Sequence, residues 1–166
     1  MSIECFTVER NVGRLVEARV LALATRADVE RYAQSFKPFA KDTAGLVLCA
    51  DHRAVRIYAP EVADDLISLF TKLNTVWRRA VLIAAPSNAT LTIQLQRVVR
   101  SSNSSARRLV VDTAAAETFV ADMLDAAEKA RLVEFLRQEP GATSAGRPSE
   151  QPPSEGRRFG SNSGRP

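Results

Sequence analysis

Gly45-Leu46-Val47-Leu48-Cys49-Ala50-Asp51-His52 is the stretch that decides the fold. From Gly45 to Ala50 it is apolar without interruption, and Asp51-His52 ends it. A continuous apolar run bounded by polar residues suits a strand buried on both faces. Ala80-Val81-Leu82-Ile83-Ala84-Ala85 is a second run of this kind, broken by Pro86-Ser87-Asn88. Strands of this type belong to sheets that carry packed helices.

Working outward, the intervals carry helical spacing. Pro60 is well placed in the first turn of a helix through Leu73, with Val62, Leu66, Leu69, Phe70 and Leu73 as its apolar stripe. Ser87 or Asn88 caps a helix to about Arg100, with Leu91, Leu95, Val98 and Val99 inward. After the polar loop Ser101–Ser105, Arg108 to Val111 predicts a short strand, and Ala114 to Leu124 an alanine-rich helix. Asp125 and Glu128 have capping-box character and open a last helix with Leu132, Val133, Phe135 and Leu136 on its apolar side.

Upstream, Thr25-Arg26-Ala27-Asp28 is a helix start, followed by Val29, Tyr32, Ala33, Phe36 and Phe39 at helical spacing, with Pro38 expected to kink the helix or tighten its last turns. Ile3–Val8 and Leu15–Leu23 predict a hairpin about Asn11-Val12-Gly13. The order is hairpin, helix, strand, helix, strand, helix, strand, helix, helix. It predicts one α/β domain over residues 1–138, with right-handed parallel crossovers.

From 139 to 166, Pro, Gly, Ser and Arg dominate, and this segment is expected to be a disordered tail. Of the net charge of +4, the tail holds four arginines against three glutamates. So modest a balance permits contact with anions without implying it. Nucleic acid is the least favoured partner, because the basic residues lack interleaved aromatics. Cys5 and Cys49 sit in apolar contexts, as small hydrophobes. Without Cys/His ligand spacing, no metal and no cofactor is expected. The N-terminus lacks a secretory pattern and no apolar stretch approaches the ~20 residues of a membrane span, so no transmembrane segment and a cytoplasmic location are expected.

Four pieces in order resemble the SpoIIAA-like branch of the STAS superfamily, related to the lipid-carrying CRAL-TRIO group. They are Gly-Arg-Leu-Val-Glu-Ala-Arg at 13–19, Leu-Val-Leu-Cys-Ala-Asp at 46–51, Arg-Arg-Ala-Val-Leu-Ile-Ala at 78–84 and Arg-Arg-Leu-Val-Val-Asp at 107–112. The resemblance covers roughly residues 3 to 136. It implies a small mixed sheet, an N-terminal hairpin plus parallel strands, with helices packed mainly on one face. It also implies a regulatory module rather than an enzyme. Anti-sigma antagonists of the family carry a phosphorylated serine at a helix start. The matching place here reads Tyr58-Ala59-Pro60-Glu61, so that switch is not expected. Asp51, His52, Tyr58 and Glu61 are the switch-region equivalents, with Glu61 either a fixed negative charge or simply a good helix start.

For chemistry in its own right, Cys49 with His52 is the one conceivable nucleophile pair, outweighed by a core cysteine beside a surface histidine. Asp64-Asp65 and Glu117 with Asp122 are expected to be solvated carboxylates. No phosphate-binding glycine loop or nucleophile elbow is present. Arg78, Arg79, Arg97, Arg100, Arg107 and Arg108 open strands or end a helix, and form one candidate rim for a partner or an anion. Phe36, Phe39 and Trp77 are a candidate aromatic surface. The expectation is a non-enzymatic module that binds another protein or a second copy of itself. The alternative is a carrier or sensor of an apolar ligand at a membrane surface.

Overall fold

The computed structural model describes residues 4–140. The described part of the chain forms a five-stranded sheet in sequential order. Strand β1 (Phe6–Val12) pairs antiparallel with β2 (Leu15–Val20), and β3 (Leu46–Asp51), β4 (Trp77–Ile83) and β5 (Arg107–Val110) follow in parallel. The helices are α1 (Arg26–Ser35), α2 (Pro60–Lys72), α3 (Ala89–Ser101), α4 (Thr113–Val120) and α5 (Ala126–Arg137). The expected α/β domain with an N-terminal hairpin is therefore present. Of the expected tail, only Glu139 and Pro140 fall within the described residues, and Ile3 falls outside them.

The helices do not lie mainly on one face. One core layer packs Val16, Leu46, Leu48, Ala80 and Leu82 against α1, α2 and α3. The other packs Leu15, Val47, Cys49, Val81 and Ile83 against α4 and α5. The uninterrupted runs are the reason: residues of both parities are apolar, and successive strand side chains point to opposite faces. Three successive right-handed crossovers in one direction place α1–α3 together. Among the described residues no strand follows β5, and the chain returns across the opposite face.

The caps explain the helix starts. Thr25 and Asp28 form a capping box at α1, Asp125 and Glu128 another at α5, and the Asn88 side chain accepts from the Leu91 amide at α3. Pro38 does not kink α1, but the other expectation, a tightened end, is met: α1 ends at Ser35 and Pro38 sits in the 3-10 turn Lys37–Phe39 that follows Phe36. The alanine-rich helix likewise stops at Val120 and continues as a 3-10 turn, Ala121–Met123.

One hairpin residue is fixed by its surroundings. Gly13 has φ +53°, and a Cβ there would lie 2.1 Å from a carboxylate oxygen of buried Glu128. That carboxylate receives the backbone N–H of Arg14 and that of Asp125, tying the hairpin to the start of α5. Burial alone would raise the Glu128 carboxyl, but the hydrogen bonds from Arg14 and Asp125 hold it below its usual range. Gly13→Ala is expected to cost about 1–3 kcal/mol, from a strained φ and a displaced carboxylate. Urea denaturation measures the loss, and an unchanged midpoint would dismiss the tie.

Candidate functional site

Parallel α/β sheets most often place ligands at the edge where strands end. Here that edge is marked by Asp51 and His52, whose side chains point to opposite faces because strand residues alternate.

Asp51 turns toward α5 and is buried. The Arg53 guanidinium donates to both its oxygens, at 2.9 and 2.8 Å, and Arg19 approaches at 3.6 Å. The same two arginines reach the end of α5: Arg19 donates to the Phe135 carbonyl at 3.0 Å, and Arg53 to the Leu136 and Gln138 carbonyls at 3.2 and 3.3 Å. Arg19 also lies over the Phe135 ring. Further along this face Arg131 of α5 donates twice to buried Glu17, both at 2.6 Å. Asp51 is thus a fastening of α5, and the carboxylate has no free lone-pair direction toward solvent.

His52 turns the other way and is completely buried, which corrects the expectation of a surface histidine. It is enclosed because the loop after β3 folds back and places Tyr58 over it. His52 Nδ1 and the Tyr58 hydroxyl are 2.7 Å apart, while Nε2 has no hydrogen-bond partner. Burial pushes the imidazole down to about 4 and Tyr58 well above its ordinary range. At neutral pH both groups are uncharged and sealed from solvent. Cys49 is also fully buried and faces α4 and α5, opposite to His52, and burial followed by Asp51 and Glu17 drives its thiol upward. A thiol of that kind is a poor nucleophile. Among the described residues, no group of three or more His, Cys, Asp or Glu side chains is arranged to hold a metal ion.

The loop that closes over His52 is itself held rigidly. Asn88 Nδ2 donates to the carbonyls of Val55 and Arg56, at 3.0 and 2.8 Å. Gln94 accepts from the Tyr58 amide at 3.0 Å and donates to the Tyr58 carbonyl at 2.8 Å. Four hydrogen bonds from α3 and its cap therefore fix residues 55–58. Yet Ile57, in the middle, is 60% exposed. It lines a depression of about 560 Å³ with Arg56, Ser87, Asn88 and Thr90. Down α3, Thr90, Ile93, Arg97 and Arg100 recur at i, i+3, i+7 and i+10, so they share its outer face. Ile93 is 72% exposed. Glu61 is exposed in the first turn of α2, directly after Pro60, a favourable place for a carboxylate at a helix start.

The six arginines do not form one rim. Arg107 and Arg108 are neighbours on β5 and so point to opposite faces. Arg107 is buried, donates to the Phe70 carbonyl at 2.6 Å and lies over the Phe70 ring. Arg79 and Arg108 both lie over the Phe119 ring on the α4 face, and Arg79 also pairs with Asp122. Arg97 pairs with Asp64 at 2.7 Å, and Asp65 with Arg26 at 3.0 Å. Arg78 and Arg100 are exposed. The aromatic candidates are core: Phe36 and Trp77 are buried, in an edge-to-face chain running from Phe6 through Tyr32. Phe39 completes it as a half-buried ring against Trp77.

The chain matches no family model, no curated protein and no solved structure. Sequence reasoning gave Asn88 as a candidate cap of α3 and assigned no role to Ile57, Ile93 or Gln94. Two signals pointed to α3 and its surroundings. Thr90, Ile93, Arg97 and Arg100 keep heptad spacing on the polar side of α3. Residues 66–111 also hold seven lysines and arginines and not one acid.

Proposed function

We propose that this chain is a non-enzymatic protein-interaction module of STAS-like type, whose docking face is the outer side of α3 with the loop after β3. The observation that carries it is Ile57, an exposed branched aliphatic side chain on a loop pinned by Asn88 and Gln94. A rigid apolar group beside a second one, Ile93, anchors a partner at little entropic cost on binding. The mixed sheet with its N-terminal hairpin supports the STAS-like assignment, and the sealed state of His52 and Cys49 favours binding over catalysis. A carrier of an apolar ligand is the weaker alternative. Both faces of the sheet are filled by packed side chains, and the groove of about 330 Å³ between α1 and α2 is lined in part by Arg26, Glu30, Asp65 and Lys72.

Ile57→Asp and Ile93→Asp test the proposal. Both sites are exposed, so stability is expected to stay within about 0.5 kcal/mol. Partner recovery from the host, or self-association followed by sedimentation, is expected to fall about tenfold, as for loss of a hot-spot residue. Unchanged recovery and unchanged sedimentation would reject this face. Native mass spectrometry of protein from its own host covers the alternative: extra mass removed by organic solvent would favour the carrier.

A further inference from the structure

The strands β4 and β5 begin at the edge of the sheet where α2 and α3 end, so Lys72, Arg78, Arg100 and Arg108 come to one end of the molecule. All four are exposed. Of the seven cations in the acid-free stretch 66–111, the other three are engaged: Arg79 with Asp122, Arg97 with Asp64, and Arg107 with the last turn of α2. The acids at this edge are engaged too. Asp42 pairs with Arg10, Asp122 with Arg79, and Asp125 caps α5. Buried Arg107 adds a charge with no carboxylate beside it among the described residues. Burial lowers it only to about 10, so it stays charged at neutral pH, and its Nη1 has no partner.

Two of the exposed cations are ordered by packing rather than by acids. The Arg108 guanidinium lies 4.4 Å from the centre of the Phe119 ring. The Arg78 side chain passes over Gly45, its Cδ only 3.2 Å from where a Cβ would stand. Such side chains present their N–H donors with part of their rotamer freedom already lost, which lowers the cost of engaging an anion.

We propose that this edge, continuous with the outer face of α3, docks a carboxylate-rich protein segment through Lys72, Arg78, Arg100 and Arg108. The inference rests on the interaction-module reading and names its partner's chemistry: apolar toward the start of α3, acidic toward its end. Arginine forks match carboxylates in a bidentate manner. Of the large apolar side chains exposed among the described residues, Ile57 and Val111 lie at the opposite end of the strands, and Ile93 shares a depression on α3 with Arg100. One aliphatic side chain is a small apolar face for insertion into a lipid surface, and no aromatic ring is exposed beside these cations for stacking on nucleic-acid bases.

The probe is a fluorescent glutamate homopeptide titrated with the full chain at low and at physiological ionic strength. Binding is expected at low salt and is weakened by salt, since the screening length shrinks to about 8 Å at physiological strength. Arg100→Glu with Arg108→Glu is expected to weaken it about tenfold, whereas Lys129→Glu with Arg137→Glu on α5, an equal change in net charge, leaves it within about twofold. Should the first pair unfold, Lys72→Glu with Arg78→Glu takes its place. Equal losses in edge and control variants, or no binding, would overturn the proposal. So would tighter binding to phosphatidylserine vesicles or to duplex DNA, each of which names a different partner. If the homopeptide fails while Ile57→Asp still abolishes partner recovery, the partner is not acidic and the interaction reading stands.

Discussion

Replacing Asp51 by Ala is expected to destabilise the domain by about 3–5 kcal/mol, the cost of leaving buried cations without their carboxylate. The side chain of Asp51 is wholly enclosed, and it accepts from Arg53 through both oxygens and faces Arg19. Both guanidiniums are themselves largely buried and cannot simply swing into water, because they also hold the last carbonyls of α5. In thermal unfolding the loss corresponds to roughly 10–20 °C for a domain of this size. Hydrogen exchange is expected to locate it, with the amides of α5 losing protection first. Adding Arg53→Ala to Asp51→Ala is expected to recover part of the loss, because the second change removes one of the orphaned charges. A loss below about 1 kcal/mol would mean that the cluster is hydrated and does not fasten α5.

The second large effect is a stability that depends on pH through a single group. His52 is the only histidine in the chain. Unfolded it titrates near 6.5, and in the fold burial holds it down to about 4. Between those values the unfolded chain binds a proton that the folded one refuses, so unfolding becomes easier as pH falls from 6.5 toward 4. The full contribution, roughly 3 kcal/mol, is present above 6.5 and is lost by about pH 4. The carboxylates held low, Asp28, Asp42 and Glu128, act below their ordinary values near 4, which leaves the window from about 4.5 to 6.5 to His52. Urea denaturation across that window should show the slope in the native chain and not in His52→Gln. A flat profile for the native chain would place the imidazole in contact with water.

These two effects share an origin. Adjacent residues at the end of β3 are both taken into the interior, one as an ion-pair acceptor under α5 and one as a neutral ring under Tyr58. The edge where parallel sheets most often bind ligands is here used for internal fastening. The uncommitted groups are Ile57 on the loop after β3, Ile93 on α3, and four cations at the opposite end of the strands.

The strand runs, Thr25, Pro60, Asn88 and Asp125 were legible because backbone conformation, capping and alternate burial are local. Their signals lie within a few residues of one another. The end of α1 was less so: Pro38 suggested either a kink or tightened last turns, and the chain tightens, with α1 ending at Ser35 and Phe36 leading into the 3-10 turn Lys37–Phe39. The fate of long polar side chains was not legible. Arg107 and Arg108 are alike in sequence, yet one is buried against Phe70 and the other stacks on Phe119, because strand parity sends them to opposite layers. His52 looked like a loop residue until Tyr58, six residues on, closed over it.

By itself, then, the order of apolar runs and caps determined an α/β domain whose central strands are covered on both sides. The acid-free span from 66 to 111 also marked one region of it as cationic. Only the tertiary structure decided where α4 and α5 lie, which charges are consumed, and which side chains remain outside. Those outcomes depend on contacts between residues far apart in the chain, such as Asp51 with the end of α5 and Asn88 with the loop before α2. Spacing within a segment carries no record of them.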